Sequence, residues 1–263
     1  MQELVWQVAN DVDFEGGRVP LNQRFPFLEL DTCWTGYMST TILKKSVSKI
    51  MHLCLVLFRC LFSVGGWFDT LRLRQPSSWL GYNNTKEALD DMPRDRPRFI
   101  KSHLPLSMLP PNLMTKAKVV YMVRNPKDCM VSYYHHHKLI TGHGYVGNLP
   151  NFARRFMRNQ LMYGSIFPHA KEAWTLKDDP NMLFVFYEDM KADLMKVIER
   201  VSQFLICPLT PEKKQMLVDH LHIDNFRNNG AVNPTGMFKK LGLFVGDGNF
   251  IREGRVSGHH LFP

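Results

Sequence analysis

Two short apolar runs, each followed by polar residues and a helical pattern, place the strongest constraint on the fold. Residues 118–123 (KVVYMV) and 182–187 (MLFVFY) predict buried strands, and RFIKSHLP predicts a third, shorter strand over 98–101. Continuous apolar strands that alternate with helices are typical of a parallel sheet with helices on both faces. The sequence therefore predicts an α/β fold built on a central parallel sheet.

The helical patterns occupy most of the remaining chain. QELVWQVAN at 2–10 and PEKKQMLVDHL at 211–221 each predict one helix, and CMVSYYHHHK predicts another after RNPKD. Residues 151–175 predict one or two helices interrupted near Pro168, and 188–205 predict one amphipathic helix. We expect a loop-rich, basic tail from residue 226 onwards. With 263 residues, 44% of them hydrophobic, the chain is long enough for one large domain.

Charge and cysteine content limit the class of protein. The formal net charge of +9 favours an anionic partner: a nucleotide, nucleic acid or an acidic membrane. The five cysteines form no CxxC pair, which favours a reducing, cytoplasmic location. Residues 50–68 are rich in apolar side chains, but Arg59 interrupts them, so a buried helix is favoured over a membrane span.

Polar side chains follow each predicted strand, where open α/β sheets bind ligands. Lys101 and His103 lie at the end of the strand predicted over 98–101, Arg124 and Ser132 follow the strand at 118–123, and Tyr187 ends the strand at 182–187. An arginine at a helix N-terminus is suited to a phosphate. As isolated residues, these side chains are better explained by a surface arginine, a helix cap and a structural serine than by a phosphate site. The histidine run 135–137 points in several directions on a helix, so no metal site is expected there.

Several motifs together resemble the cytosolic, PAPS-dependent sulfotransferase family (PAPS is 3′-phosphoadenosine-5′-phosphosulfate). They occur in the family's order over roughly residues 1–32 and 81–256: KSHLP, VRNPKDCMVSYYHHHK, ARRFMRNQLMYGSIFPHAKEAW, FVFYEDMKADL and FIREG. The resemblance implies a P-loop-like parallel sheet and sulfonate transfer from PAPS.

The resemblance also implies a role for each strand-end residue. His103 corresponds to the general base that takes the acceptor's proton, and Lys101 to the lysine that stabilises the transferring sulfonate. Arg124 and Ser132 correspond to the pair that holds the 3′-phosphate, and Tyr187 to the residue that contacts adenine.

The late motif that grips the 3′-phosphate in the family reads Arg252-Glu253-Gly254 here, with an acid in place of the central lysine. We expect Arg252 and the backbone of Gly254 to serve in it, and Glu253 to oppose the phosphate.

Three departures from the family stand out. The sequence contains no phosphate loop of the form YPKSGTTW, so we expect the chain to lack the first strand and to transfer sulfonate poorly as written. Residues 34–79 have no counterpart and are interpreted as an insertion in a single domain spanning 1–263. Residues 257–263 form an atypical end, and the usual dimerisation motif is absent. A gene-model error and a divergent isoform both fit these departures.

The leading functional hypothesis is an enzyme that moves sulfonate from PAPS to a hydroxyl or amine of a small acceptor. The alternative is a non-catalytic remnant of the family that binds PAPS or its product. A nucleic-acid-binding protein is a third class, but no recognition helix or stacking motif favours it. Phenols, steroids and amines all remain open as acceptors.

Overall fold

The computed structural model describes residues 1–28, 89–92, 94–95, 97–252 and 254. The proposed insertion 34–79 and the atypical end 257–263 lie outside these ranges, as does the apolar stretch 50–68. Within them, no helix is long and apolar enough to cross a membrane. The chain divides into two units, one comprising 1–25 with 103–263 and the other comprising 26–102.

Two parallel strands form the sheet of the first unit: β1 (Val119–Val123) and β2 (Met182–Phe186). Both predicted strands are therefore confirmed, and they pair in register from Val119 with Met182 to Val123 with Phe186. Among the described residues the helices are α1 Gln2–Ala9, α2 Leu21–Arg24, α3 Leu113–Lys116, α4 Pro126–Leu139, α5 Leu149–Met157, α6 Ile166–Thr175, α7 Tyr187–Ala192, α8 Leu194–Leu205, α9 Pro211–Leu221, α10 Ile223–Asn228 and α11 Thr235–Lys240. Short 3₁₀ turns cover Gly16–Arg18, Leu106–Met108 and Thr141–His143. The α/β fold class is confirmed.

The strand predicted over 98–101 is not formed. Residues 97–100 have no regular structure, and Lys101 makes a single parallel bridge with Phe27 inside the second unit. The Lys101 N–H donates to the Pro26 carbonyl at 3.0 Å, and the Lys101 carbonyl accepts from the Leu28 N–H at 2.8 Å. Pro26 has no N–H of its own, so it cannot donate a further hydrogen bond to the ladder.

Three helix predictions also need correction. The interruption in 151–175 lies at 158–165, and Pro168 falls in the first turn of α6, where its missing N–H removes no helical hydrogen bond. The predicted helix 188–205 is split at Asp193, whose side chain accepts from the Lys196 N–H and so caps α8. The region from 226 onwards contains the end of α10 and all of α11 rather than loops alone.

A buried ionic cluster fixes α1, which was predicted from its apolar spacing. The Glu3 carboxylate is fully buried and accepts from Arg24 at 2.7 Å, His220 at 2.9 Å and Gln7 at 2.9 Å. Burial acts to raise the pKa of Glu3, but these hydrogen bonds and the Arg24 charge hold it below its ordinary value. The cluster therefore joins α1, α2 and α9 through a charged carboxylate.

His137 occupies the apolar layer between α4 and α5. Its Nδ1 donates to the Tyr133 carbonyl at 3.1 Å, and its ring contacts Phe152, with the centroids 5.2 Å apart. Burial, reinforced by the nearby His143, lowers the pKa of His137 from 6.5 to about 4. The folded protein therefore holds this ring neutral at pH values where the unfolded chain protonates it.

His137→Phe is expected to remove part of the stability loss on acidification. The depressed folded-state pKa gives stability that is present above pH 6.5 and lost as the pH falls towards about 4. Denaturant unfolding at pH values on either side of this window measures the effect. The exposed His222, changed to Phe, serves as the control and should keep the parent's pH dependence. An unchanged pH dependence in His137→Phe would contradict the assignment.

Candidate active site

The parallel register places two of the predicted site residues side by side. Val123 and Phe186 are paired, so Arg124 and Tyr187 are the next residues at the carboxyl ends of adjacent strands. The Arg124 guanidinium carbon lies 4.3 Å from the centroid of the Tyr187 ring, within cation–π distance. The strand ends therefore present a guanidinium and an aromatic ring together.

A hydrogen bond fastens the two strand ends to each other. The N–H of Asn125 donates to Glu188 Oε1 at 2.9 Å, and the Asn125 side chain accepts from the Lys127 N–H at 3.0 Å to cap α4. Burial raises the pKa of Tyr187, although the Arg124 charge opposes the rise. The phenol beside Arg124 is therefore neutral at physiological pH.

Gly254 reaches the same place from a distant part of the sequence. Its φ of +61° lies in the left-handed region that glycine tolerates best. A Cβ added there would stand 3.0 Å from Ile223 Cδ1 and 3.9 Å from the Tyr187 hydroxyl oxygen. The backbone at Gly254 thus approaches Tyr187 closely, which brings Arg124, Tyr187 and Gly254 into one cluster.

Ser132 and Arg252 are the other two side chains predicted to bind the nucleotide. Ser132 lies half-buried on α4, whose first turn follows Arg124. Arg252 is exposed, and its carbonyl accepts from Arg227 Nη2 at 2.6 Å. That bond ties the segment carrying Gly254 to α10.

His103, the predicted base, is held through its backbone. The Nε2 of His169 lies 3.1 Å from the His103 carbonyl oxygen, and the His169 Nδ1 lies 2.7 Å from the Tyr121 hydroxyl. A carbonyl only accepts, so Nε2 of His169 carries a proton; in the neutral ring, Nδ1 accepts from Tyr121. The His103 ring also contacts Tyr163, with centroids 4.6 Å apart.

Tyr121 connects this network to the sheet, because it is the central residue of β1. Burial, then Glu172 and Cys129, raise the pKa of Tyr121 to about 12, so its hydroxyl stays protonated and available as a donor. Lys101, the other predicted catalytic residue, belongs to the second unit, where its Nζ lies 4.9 Å from the centroid of Phe27.

The histidine run and its neighbours pack against each other. The His137 and His143 rings lie 4.3 Å apart, and the His136 and His143 rings 5.1 Å apart. Within the described ranges, no group of three or more His, Cys, Asp or Glu side chains is arranged to hold a metal ion.

Sequence reasoning missed Tyr121, His169, Tyr163 and Glu188 as parts of the site. Tyr121 was predicted only as a strand residue, although a tyrosine in the middle of an otherwise aliphatic strand signals a hydroxyl that needs a partner. The partner, His169, is distant in sequence and has no local signal.

Comparisons with known proteins identify the family of the chain. The sulfotransferase domain family matches residues 1–261 of the chain. Luciferin sulfotransferase of Photinus pyralis is 32% identical over 98% of this chain, which spans 62% of that protein. Human sulfotransferase 4A1 is 44% identical over 127 residues, which cover 48% of this chain and 45% of that protein.

A solved structure of retinol dehydratase in a complex with retinol and PAP superposes with a TM-score of 0.79, at 32% identity, over 100% of this chain and 72% of that one. A second, with androsterone and inactive cofactor PAP, gives a TM-score of 0.77 at 31% identity, over 100% of this chain and 71% of that one. The chain belongs to the sulfotransferase family.

Nitrogen NMR of His169 tests which of its ring nitrogens carries the proton in the network that holds His103. We expect the proton on Nε2, and we expect Tyr121→Phe to shift the Nδ1 resonance, because Nδ1 then loses its donor. Tyr163→Phe is the matched control, since Tyr163 contacts the His103 ring and should leave Nδ1 of His169 unchanged. A proton on Nδ1 with a bare Nε2 would contradict the assignment.

Proposed function

We propose that this protein transfers a sulfonate from PAPS to a hydroxyl or amine of a small acceptor. The cluster of Arg124, Tyr187 and Gly254 at the ends of two parallel strands is the observation that carries the proposal. The solved relatives with PAP, the product left when PAPS loses its sulfonate, give it further support.

The nucleotide fits the chemistry of the cluster. The Tyr187 ring offers a flat face for adenine, and the Arg124 guanidinium beside it offers paired donors for the 3′-phosphate. Ser132 adds a hydroxyl from α4, and Arg252 with the Gly254 backbone closes the phosphate side. A Cβ at Gly254 would stand 3.0 Å from Ile223 Cδ1, and the φ of +61° disfavours any other residue, so glycine suits a close backbone approach here.

His103 is proposed as the base that receives the acceptor's proton. As the acceptor oxygen or nitrogen bonds to sulfur, the bond from sulfur to the bridging oxygen of PAPS breaks and PAP leaves. Lys101 is proposed to stabilise the charge that develops on the sulfonate. The hydrogen bond from His169 to the His103 carbonyl fixes the backbone of the base. The orientation of the His103 ring then depends on fewer rotatable bonds.

We also propose a small, largely apolar acceptor and a cytoplasmic location. The relatives solved with retinol and with androsterone support the first. Two free cysteines, Cys129 and Cys207, are compatible with the reducing compartment.

Arg124→Ala should weaken PAP binding by about tenfold or more, since a lost hydrogen bond to a charged group costs about 1.5–3 kcal/mol. Calorimetric titration with PAP and with adenosine 5′-phosphate, which lacks the 3′-phosphate, separates the 3′-phosphate contact from the stacking on Tyr187. The exposed Arg18, changed to Ala, is the control and should bind both nucleotides like the parent. An equal loss for both nucleotides in Arg124→Ala would show that Arg124 does not read the 3′-phosphate.

His103→Ala should lower sulfonate transfer by about 100- to 10,000-fold, the usual contribution of a general base. The assay uses a form of the chain that carries an upstream phosphate loop, with PAP affinity measured in parallel and expected to stay within about threefold, since the base does not hold the nucleotide. His222→Ala, at an exposed position, should retain the parent's rate. Turnover by His103→Ala within threefold of the parent would remove His103 from the mechanism.

A further inference from the structure

A cavity of about 710 Å³ lies between the loop 143–147 and one face of α5. Its lining includes three arginines, Arg154, Arg155 and Arg158, together with Asn151. This volume falls within the range of small-molecule sites, which is about 300–1,000 Å³. None of the residues assigned above to the nucleotide or to the base lines it.

Helical spacing places the charges on one side. Arg154 and Arg155 lie three and four residues after Asn151, and Arg158 lies four and three residues after those two arginines. The four residues therefore share a face of α5 and its C-terminal cap. Phe152 and Phe156 are buried on the opposite face, in the apolar cluster with Met130 and Val131. The core therefore fixes how the helix is rotated, and the arginines face outward into the cavity.

The opposing loop is anchored rather than loosely placed. The Tyr145 hydroxyl donates to the Asn148 carbonyl at 2.9 Å, and the Tyr145 ring packs edge-on against Phe152 with centroids 5.1 Å apart. A Cβ on Gly147 would lie 2.5 Å from the Tyr145 hydroxyl oxygen, so only glycine fits beneath the ring. The cavity thus has two walls secured to the same core.

The charge around the cavity is of one sign. The sequence contains no aspartate or glutamate between Cys129 and Lys171. Within the part of the chain that the structure describes, none of the three arginines forms an ion pair, and the Arg154 guanidinium donates to the neutral Asn151 side chain. Burial lowers the pKa of His143, so the positive charge comes from the guanidinium groups alone.

We propose that this basic cavity binds a small anion carrying at least two negative charges, in the form of phosphate or sulfate groups. Guanidinium groups match the oxygens of both groups with paired hydrogen bonds. Three guanidinium charges exceed what a singly charged ligand can neutralise, which favours a multiply charged one. The Tyr145 ring leaves room for an organic part of such a ligand against the loop wall. This site is separate from the nucleotide cluster at the strand ends and does not depend on the proposed sulfonate transfer.

The test is calorimetric titration of the full chain with inorganic pyrophosphate, with and without saturating PAP. We expect saturable binding that PAP does not displace. The double variant Arg154→Gln/Arg158→Gln should weaken it by about tenfold or more, because each lost charge-assisted contact has an effect of that size. Glutamine keeps helix propensity, and both arginines are exposed, so the fold should be retained.

Lys116→Gln/Lys196→Gln is the matched control, because it removes the same net charge from two exposed positions outside the cavity. It should bind pyrophosphate like the parent. A parallel titration with inorganic sulfate at equal ionic strength identifies the preferred group, and tighter binding of either anion is consistent with the site. Equal losses of pyrophosphate affinity in both double variants would mean that the anion is held by general charge attraction only. Displacement of pyrophosphate by PAP would mean that pyrophosphate occupies the nucleotide cluster. Either result, or the absence of saturable binding, overturns the proposal.

Discussion

The parallel pairing of β1 with β2 is the constraint on which the nucleotide cluster depends. Parallel strands end at the same edge of a sheet, so the register that pairs Val123 with Phe186 places the next residues, Arg124 and Tyr187, side by side, where the guanidinium contacts the ring. The hydrogen bond from the Asn125 N–H to Glu188 then links the two strand ends at this edge. A slip of one residue would turn every side chain of one strand to the other face and separate the guanidinium from the ring.

The same strand serves the proposed base by a different route. Tyr121 lies in the middle of β1 and orients His169, which in turn holds the carbonyl of His103. One five-residue strand therefore positions Arg124, the residue proposed for the 3′-phosphate, from its end, and the backbone of His103 from its centre. The residues proposed to bind the nucleotide and the histidine proposed to act on the acceptor are thus positioned by the same strand. A shared rigid element of this kind keeps reacting groups aligned in an enzyme.

The sequence was most informative where local rules decide the outcome. Continuous apolar runs located β1 and β2, and Pro126 after Asn125 marked the start of α4. It was less informative where partners are distant. Among the described residues, the segment 98–101 makes only the bridge between Lys101 and Phe27, and Pro26 beside that bridge cannot donate to a ladder. The break at Asp193 depended on a cap that an amphipathic pattern does not reveal. Arg124 and Tyr187 were found because each follows a strand, whereas His169 was missed because only the fold brings it to Tyr121.

The closeness of Gly254 to Tyr187 has a consequence for the order of folding. Asn125 and Glu188 are already 63 positions apart in the chain, and Gly254 joins them from further along. Contacts of such separation close large loops, so they are costly to form early and tend to follow local structure. The nucleotide cluster would then be among the last parts of the first unit to assemble during synthesis. A ligand that binds only the completed cluster would stabilise the finished fold over its precursors.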